Sequence, residues 1–276
     1  MIPEHDPAPR PPLTVEYAFL LALFAPLCQF VATLVFGTLG FHLQVSALGM
    51  GTLVAYGSLF ALCVARVRTP PARQLGFVAA PATAWVSVLF LAGSIVLTSE
   101  VDNLLRSGLS LPSAEGAPLA PPPYFTPAFA ILAVGVLPLC YDVFFRGLFQ
   151  PLASARLGAV SAVVLTSALS GFASGFIPAL ALNVWQIPRH MLDALVLCIL
   201  RECAGSLWPV LALHVLWGVA TFCASFGVFG LAGFDAGGAH TPTLWVAGAG
   251  ALTLVGLALC RAAARANGGP SSPAQG

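Results

Sequence analysis

The chain contains no lysine and little charge of any kind: only 8% of its 276 residues are charged, and every basic side chain apart from histidine is an arginine. Soluble domains carry roughly 25% charged residues, so a fully solvated surface is excluded. The net charge of +1 excludes the basic footprint of a nucleic-acid-binding protein. Seven cysteines (28, 63, 140, 198, 203, 223 and 260) are scattered through apolar stretches with no CxxC pair. They read as small buried hydrophobes rather than a disulfide framework or zinc ligands. No repeat occurs at solenoid periods, and no two related halves suggest a transporter. The first residues, MIPEHDPAPRPP, are polar, Pro-rich and partly acidic. They lack the positive n-region of a signal peptide, and the apolar run behind them is longer than such a peptide needs, so it is expected to stay as a first span.

What remains is apolar: 58% of residues are hydrophobic and the mean hydropathy is +0.92. A spanning helix needs about 20 predominantly apolar residues. Suitable stretches fall near 15–39, 44–65, 82–98, 127–149, 158–179, 185–202, 207–229 and 243–260. The third and sixth are short or interrupted by charge, and Pro178 and Pro188 bracket a break that leaves room for a partly re-entrant connection. The predicted fold is therefore all-α, a polytopic membrane helix bundle of about eight transmembrane helices. Residues 1–13 form a polar cytoplasmic segment, 14–262 a single transmembrane domain, and 263–276 a tail of disordered composition.

Arginine placement sets the expected orientation, because short cytoplasmic loops collect positive charge. With the N-terminus inside, Arg10, Arg66, Arg68, Arg73, Arg146, Arg156, Arg201, Arg261 and Arg265 fall on the cytoplasmic side. Only Arg106 and Arg189 fall outside. Both termini are expected in the cytoplasm. The stretch 99–126, rich in Pro, is expected to be an extended or irregular outer connection, with Gly-rich 230–242 as a second.

Two segments place polar groups where hydrocarbon is expected: YDVFFRGLFQ, from Tyr141 to Gln150, and GSLWPVLALH, from Gly205 to His214. Intramembrane ionisable residues are functional hypotheses by default. Asp142 and Arg146 stand four apart, so on a helix they share a face and can pair, and Arg146 can snorkel toward the cytoplasmic interface. The plain reading is a structural ion pair anchoring a helix end. His214, among Leu213, Val215 and Leu216, reads by itself as a satisfied core residue. Arg201 and Glu202 fall at a helix end where charge is inexpensive. Arg189, His190 and Asp193 read as an interfacial network beside Trp185, itself flanked by Asn183 and Gln186.

The order and spacing of these pieces resemble the CPBP family, the CAAX-protease and bacteriocin-processing intramembrane endopeptidases. That family's first motif is EExxxR followed by Gly. Phe145, Arg146 and Gly147 match it, and Asp142 stands for the second Glu. Its second is a serine-rich helix closed by His, which TSALSGFAS, from Thr166 to Ser174, follows except at its last residue. Its third is GSLWP with His five residues later and Asn or Asp four beyond that. Gly205–Pro209 and His214 match, and Gly218 takes the final place. The resemblance covers about residues 125–225.

The resemblance implies a water-activating Glu, two His and an Asn around one membrane-embedded cavity. The corresponding positions here are Tyr141, Ser174, His214 and Gly218. Tyr, with an ordinary pKa near 10, is a poor base near neutral pH, and an apolar site makes it harder still to ionise. Gly218 offers no side-chain donor to an oxyanion, a loss of about 3 kcal/mol where such a donor acts. Asp142 lies about 100° around the helix from the lost Glu, although an Asp142–His214 pair could activate water by itself. A Ser174–His214 couple rests on residue type alone. A catalytic zinc needs about three protein ligands, and Asp142 and His214 are the two evident. No metal or other cofactor is expected. Tyr141 is expected to fill the vacated place and bond His214 or Asp142.

The sequence thus points to a catalytically degenerate member of the resembled family. It is expected in a bacterial plasma (inner) membrane, among lipid, binding a membrane-anchored client or an active relative and no nucleic acid. The alternative is a working endopeptidase with an Asp142/His214 site that processes C-terminal anchors or peptides.

Overall fold

A computed structural model describes residues 14–39, 44–65, 71–109, 131–180, 186–225, 230–234 and 239–266. It is an all-α membrane helix bundle, with no strand among the described residues. The helices are α1 (Val15–Thr38), α2 (Gln44–Val64), the short α3 (Pro71–Gln74), α4 (Ala82–Leu91) and α5 (Ser94–Gly108). A helical stretch over 131–157, called α6, is followed by α7 (Ala159–Leu180), α8 (Gln186–Ala204), α9 (Trp208–Ser225) and α10 (Thr243–Ala266).

Four helical stretches among the described residues are long and apolar enough to cross a membrane: Val15–Thr38, Ala82–Gly108, Ala159–Phe176 and Thr243–Arg265. Gly49–Val64 and Trp208–Ala224 are shorter apolar helices. The expected spans all coincide with helices, but boundaries differ. The third runs through α4 and α5 to Gly108, with a bend at Ala92 and Gly93. Residues 99–108 are therefore helix and not the irregular connection expected; 110–126 lie outside the described residues. Composition misled here because Glu100, Asp102 and Arg106 look solvated in sequence but are buried by their own pairings. The break expected near Pro178 has its connection, 181–185, outside the described residues, as do the 1–13 segment and most of the tail. Helix α10 continues to Ala266, so that tail begins as helix.

Helix α6 alternates in winding. Ile131–Val136 is π-helical, Leu137–Asp142 α-helical, Val143–Phe149 π-helical and Gln150–Leu157 α-helical. Each wide stretch ends two residues before a proline, Pro138 or Pro151. A proline inside a helix lacks the N–H for the normal bond, and its ring crowds the carbonyl four residues back. Widening the preceding turn relieves that crowding. The second wide stretch carries Arg146, and Gln150 N–H accordingly reaches back five residues to the Phe145 carbonyl.

Two apolar cores flank this helix. One joins α1, α2, α6 and α7 through Ala22, Tyr56, Phe145, Phe149 and Ala173. The other joins α4, α5, α8, α9 and α10 through Leu91, Ile95, Leu197, Leu213, Trp217 and Cys260. Elsewhere Leu, Val and Phe side chains of α1 and α10 stand exposed, which in water would be an aggregation hazard and in a bilayer is the lipid-facing surface.

Candidate functional site: a buried carboxylate between two motifs

The turn joining α8 to α9 is built by the GSLWP segment. Gly205 ends α8 at φ +63°, a left-handed conformation that costs an L side chain about 1–2 kcal/mol. Ser206 Oγ then donates to the Val78 carbonyl at 2.7 Å and accepts from Trp208 N–H at 3.3 Å, capping α9. Leu207 N–H donates to the Gly76 carbonyl at 2.8 Å, and the Trp208 ring meets Phe77 edge-on at 5.2 Å. Pro209 occupies the first turn of α9, where its missing N–H costs nothing. Gly76 has φ +80°, and a Cβ there would collide with the Arg201 guanidinium.

The FRG segment docks on the same joint. A Cβ on Gly147 would lie 3.3 Å from the Leu75 carbonyl oxygen and 3.4 Å from Leu207 Cδ2. Phe145 is fully buried against Phe144 and Tyr56. Arg201 Nε donates to the Arg146 carbonyl at 3.1 Å. The two motifs thus meet at one tertiary contact, in which Gly147 leaves room for Leu207 and Arg201 bonds the Arg146 backbone.

Above the joint sits Asp142, which has no exposed surface. Its Oδ1 accepts from Arg146 Nη1 at 2.7 Å, and its Oδ2 lies 2.9 Å from His214 Nδ1. With Asp142 ionised, that second contact needs the hydrogen on Nδ1, which leaves Nε2 of a neutral ring as an acceptor. The His214 side chain is 27% exposed, so the ring bridges buried carboxylate and accessible space. Arg146 is 2% exposed and does not snorkel, contrary to expectation. Its Nη2 donates to Ser170 Oγ at 3.2 Å, anchoring it inward rather than toward an interface.

Tyr141 also departs from expectation. Its hydroxyl donates to Gln29 Oε1 on α1 at 2.8 Å, and Gln29 Nε2 donates to Thr52 Oγ1 on α2 at 2.7 Å. Its ring packs on Tyr56 at a centroid distance of 4.6 Å. It therefore bonds neither His214 nor Asp142. The one-residue step that separates Tyr141 from Asp142 turns them toward different helices, as 100° per residue requires.

Asp142, Arg146 and His214 are brought together; among the described residues Ser174 and Gly218 add no hydrogen bond to them. Ser174 is half-buried on α7. Gly218 faces α6, where a Cβ would stand 3.5 Å from Val134. Among the described residues no three His, Cys, Asp or Glu side chains are grouped to hold a metal. Gln29, Ser170 and Arg201 were not singled out as site residues from sequence. A Gln midway along an apolar run was the available signal for Gln29.

Residues 123–220 match the family model described as type II CAAX prenyl endopeptidase Rce1-like. That stretch is similar to the CAAX-protease family. No curated protein and no solved structure matches it. Within this CAAX-protease-like region the residues that fit the motifs are largely those of the joint: Gly147, Gly205, Ser206, Leu207, Trp208 and Pro209. Tyr141, Ser174 and Gly218, which depart from the motifs, lie away from it.

A second polar group ties α5 to the segment before α10. Glu100 Oε1 lies 2.7 Å from His240 Nδ1, and Glu100 Oε2 accepts from Thr241 N–H at 2.9 Å and Asn103 Nδ2 at 3.1 Å. Asn103 Nδ2 also donates to the Gly233 carbonyl at 2.8 Å. Near the opposite end of α8, Gln150 Nε2 and Ser154 Oγ donate to Glu202 at 3.2 and 3.1 Å.

Proposed function

We propose that this CAAX-protease-like membrane protein is a non-cleaving member that holds a membrane-anchored client, or an active relative, beside His214. The observation that carries this reading is the direction of Tyr141. Tyr141, at the family's base position, is directed to Gln29, which in turn bonds Thr52, so it contributes nothing to water activation at His214. Asp142 does not replace it freely, since Arg146 and His214 each engage one of its oxygens. The remaining family positions add neither an imidazole nor a side-chain amide.

The test is reconstitution in proteoliposomes with transmembrane and prenylated peptides. The expected result is capture of a peptide by cross-linking at His214's surroundings without cleavage, even at high protein concentration. Cleavage abolished by both His214→Ala and Asp142→Ala would overturn the reading.

One observation favours that second reading, an active endopeptidase. The 2.9 Å contact between Asp142 and His214 Nδ1 orients the ring with Nε2 free to take a proton from water. Cleavage that survives both substitutions would belong to a contaminant.

A further inference from the structure

The joint below Asp142 holds a second buried guanidinium, that of Arg201 near the end of α8, which is 8% exposed. Its Nε donates to the Arg146 carbonyl at 3.1 Å, while Nη1 and Nη2 make no hydrogen bond among the described residues. Neither of those nitrogens is sealed in, unlike Arg146 Nε, so the outer edge of the fork stays reachable. No ion pair among the described residues includes Arg201. Glu202 acts on it electrostatically, but the two Glu202 carboxylate oxygens accept from Gln150 and Ser154 instead.

Direct contacts fix the surroundings of that fork. It lies on the bare Cα of Gly76, at φ +80°, where a Cβ would collide with it. The Gly76 carbonyl accepts from Leu207 N–H at 2.8 Å, and the residues that follow these two, Phe77 and Trp208, meet with ring centroids 5.2 Å apart. Trp208 is 49% exposed. Arg73, three residues before Gly76, is exposed, as are Glu202 and, at the end of α6, Arg156. Trp and charge at one level of an otherwise apolar bundle mark the headgroup zone of a bilayer.

An arginine at that depth usually swings its head toward water. Arg201 is held back, because its Nε is tied to the Arg146 carbonyl. A guanidinium fixed in this way, with both Nη groups unbonded, matches two oxygens of a phosphate. Charge then selects among phospholipids. A net-negative headgroup neutralises the guanidinium, whereas a choline headgroup brings a further cation to a place that already holds Arg201 and Arg73. The Phe77 and Trp208 rings offer apolar surface to the glycerol and upper acyl chain.

We propose that Arg201 Nη1 and Nη2 bind the phosphate of one anionic phospholipid, at the surface beside Gly76 and the Phe77–Trp208 pair. The lipid neutralises the guanidinium whose Nε holds the FRG segment, and so fastens the bilayer to the joint beneath Asp142 and His214. The inference is independent of the client-holding reading and applies to a cleaving or a non-cleaving chain alike.

The test counts lipids on the full chain by native mass spectrometry, from dodecyl maltoside micelles supplied with dioleoyl phosphatidylglycerol or dioleoyl phosphatidylcholine. The first phosphatidylglycerol is expected to bind about fivefold more tightly than the first phosphatidylcholine. Arg201→Gln should remove that preference, and Arg201→Lys, which keeps the charge without the fork, should reduce it. Arg261→Gln with Arg265→Gln, on the exposed end of α10, should leave it unchanged. A thermal melt checks each variant; should the Arg201 variants misfold, the wild-type preference and the α10 pair decide together. Equal first-lipid affinities in wild type, a preference that survives Arg201→Gln, or one lost with the α10 pair overturns the inference. Displacement of phosphatidylglycerol by equimolar inorganic phosphate overturns it too, by making the site one for a free anion.

Discussion

Tyr141 and Gln29 are joined by a 2.8 Å hydrogen bond between helices 112 positions apart in sequence. The bond fastens α6 to α1, so the Tyr141 side chain serves packing. Tyr141→Phe keeps the ring against Tyr56 and removes only the hydroxyl. It should destabilise the protein by about 0.6–1 kcal/mol in detergent unfolding. Gln29→Leu in the Tyr141→Phe background should add less than it does in wild type. Full additivity would show that the two side chains do not interact.

Asp142→Ala should be far more damaging. It leaves the Arg146 guanidinium, 2% exposed, without its carboxylate. Breaking a buried pair by removing one partner costs about 3–5 kcal/mol. The expected outcome is low membrane yield and an early melt, partly relieved in Asp142→Ala combined with Arg146→Met. A single variant as stable as wild type would dismiss the structural role.

The joint offers a graded pair of substitutions. Gly205→Ala should cost about 1–2 kcal/mol, the price of a Cβ at φ +63°. Gly76→Ala should cost more, since its Cβ also displaces Arg201 and so breaks the bond to the Arg146 carbonyl. Ranking the two by urea or thermal unfolding checks the order; the reverse order would misplace Arg201.

Restoring the family's chemistry by one residue should fail. Tyr141→Glu puts a carboxylate toward Gln29 and not toward His214, so peptide cleavage is expected to stay absent. Cleavage by that single variant would mean that α6 can rotate at its wide turns. Any recovered activity should require Ser174→His and Gly218→Asn as well; the latter's Cβ fits in ordinary contact with Val134.

Topology can be checked by cysteine labelling in a background lacking the native cysteines. The arginine distribution predicts both termini and 66–76 in the cytoplasm and 110–122 outside. Labelling 110–122 from the cytoplasm would reverse the orientation.

Helix positions were legible because 20-residue apolar runs have few alternatives. The end of α5 was not, since Glu100, Asp102 and Arg106 resemble a solvated loop until their partners are known. Glu100 is satisfied from His240 and Thr241, some 140 residues away, and no local pattern encodes that. The spacing of Asp142 and Arg146 announced their pairing, whereas Arg146's inward anchor depends on Ser170 from another helix. The direction of Tyr141 was missed for the same reason: its partner, Gln29, is a lone polar residue in an apolar run.

The contact between Gly147 and Leu207 also bears on how such chains are sorted. A signature built on that contact reports a packing joint, and a joint can persist whether or not a chain cleaves anything. FRG and GSLWP therefore speak to how this chain is assembled and not to whether it is active.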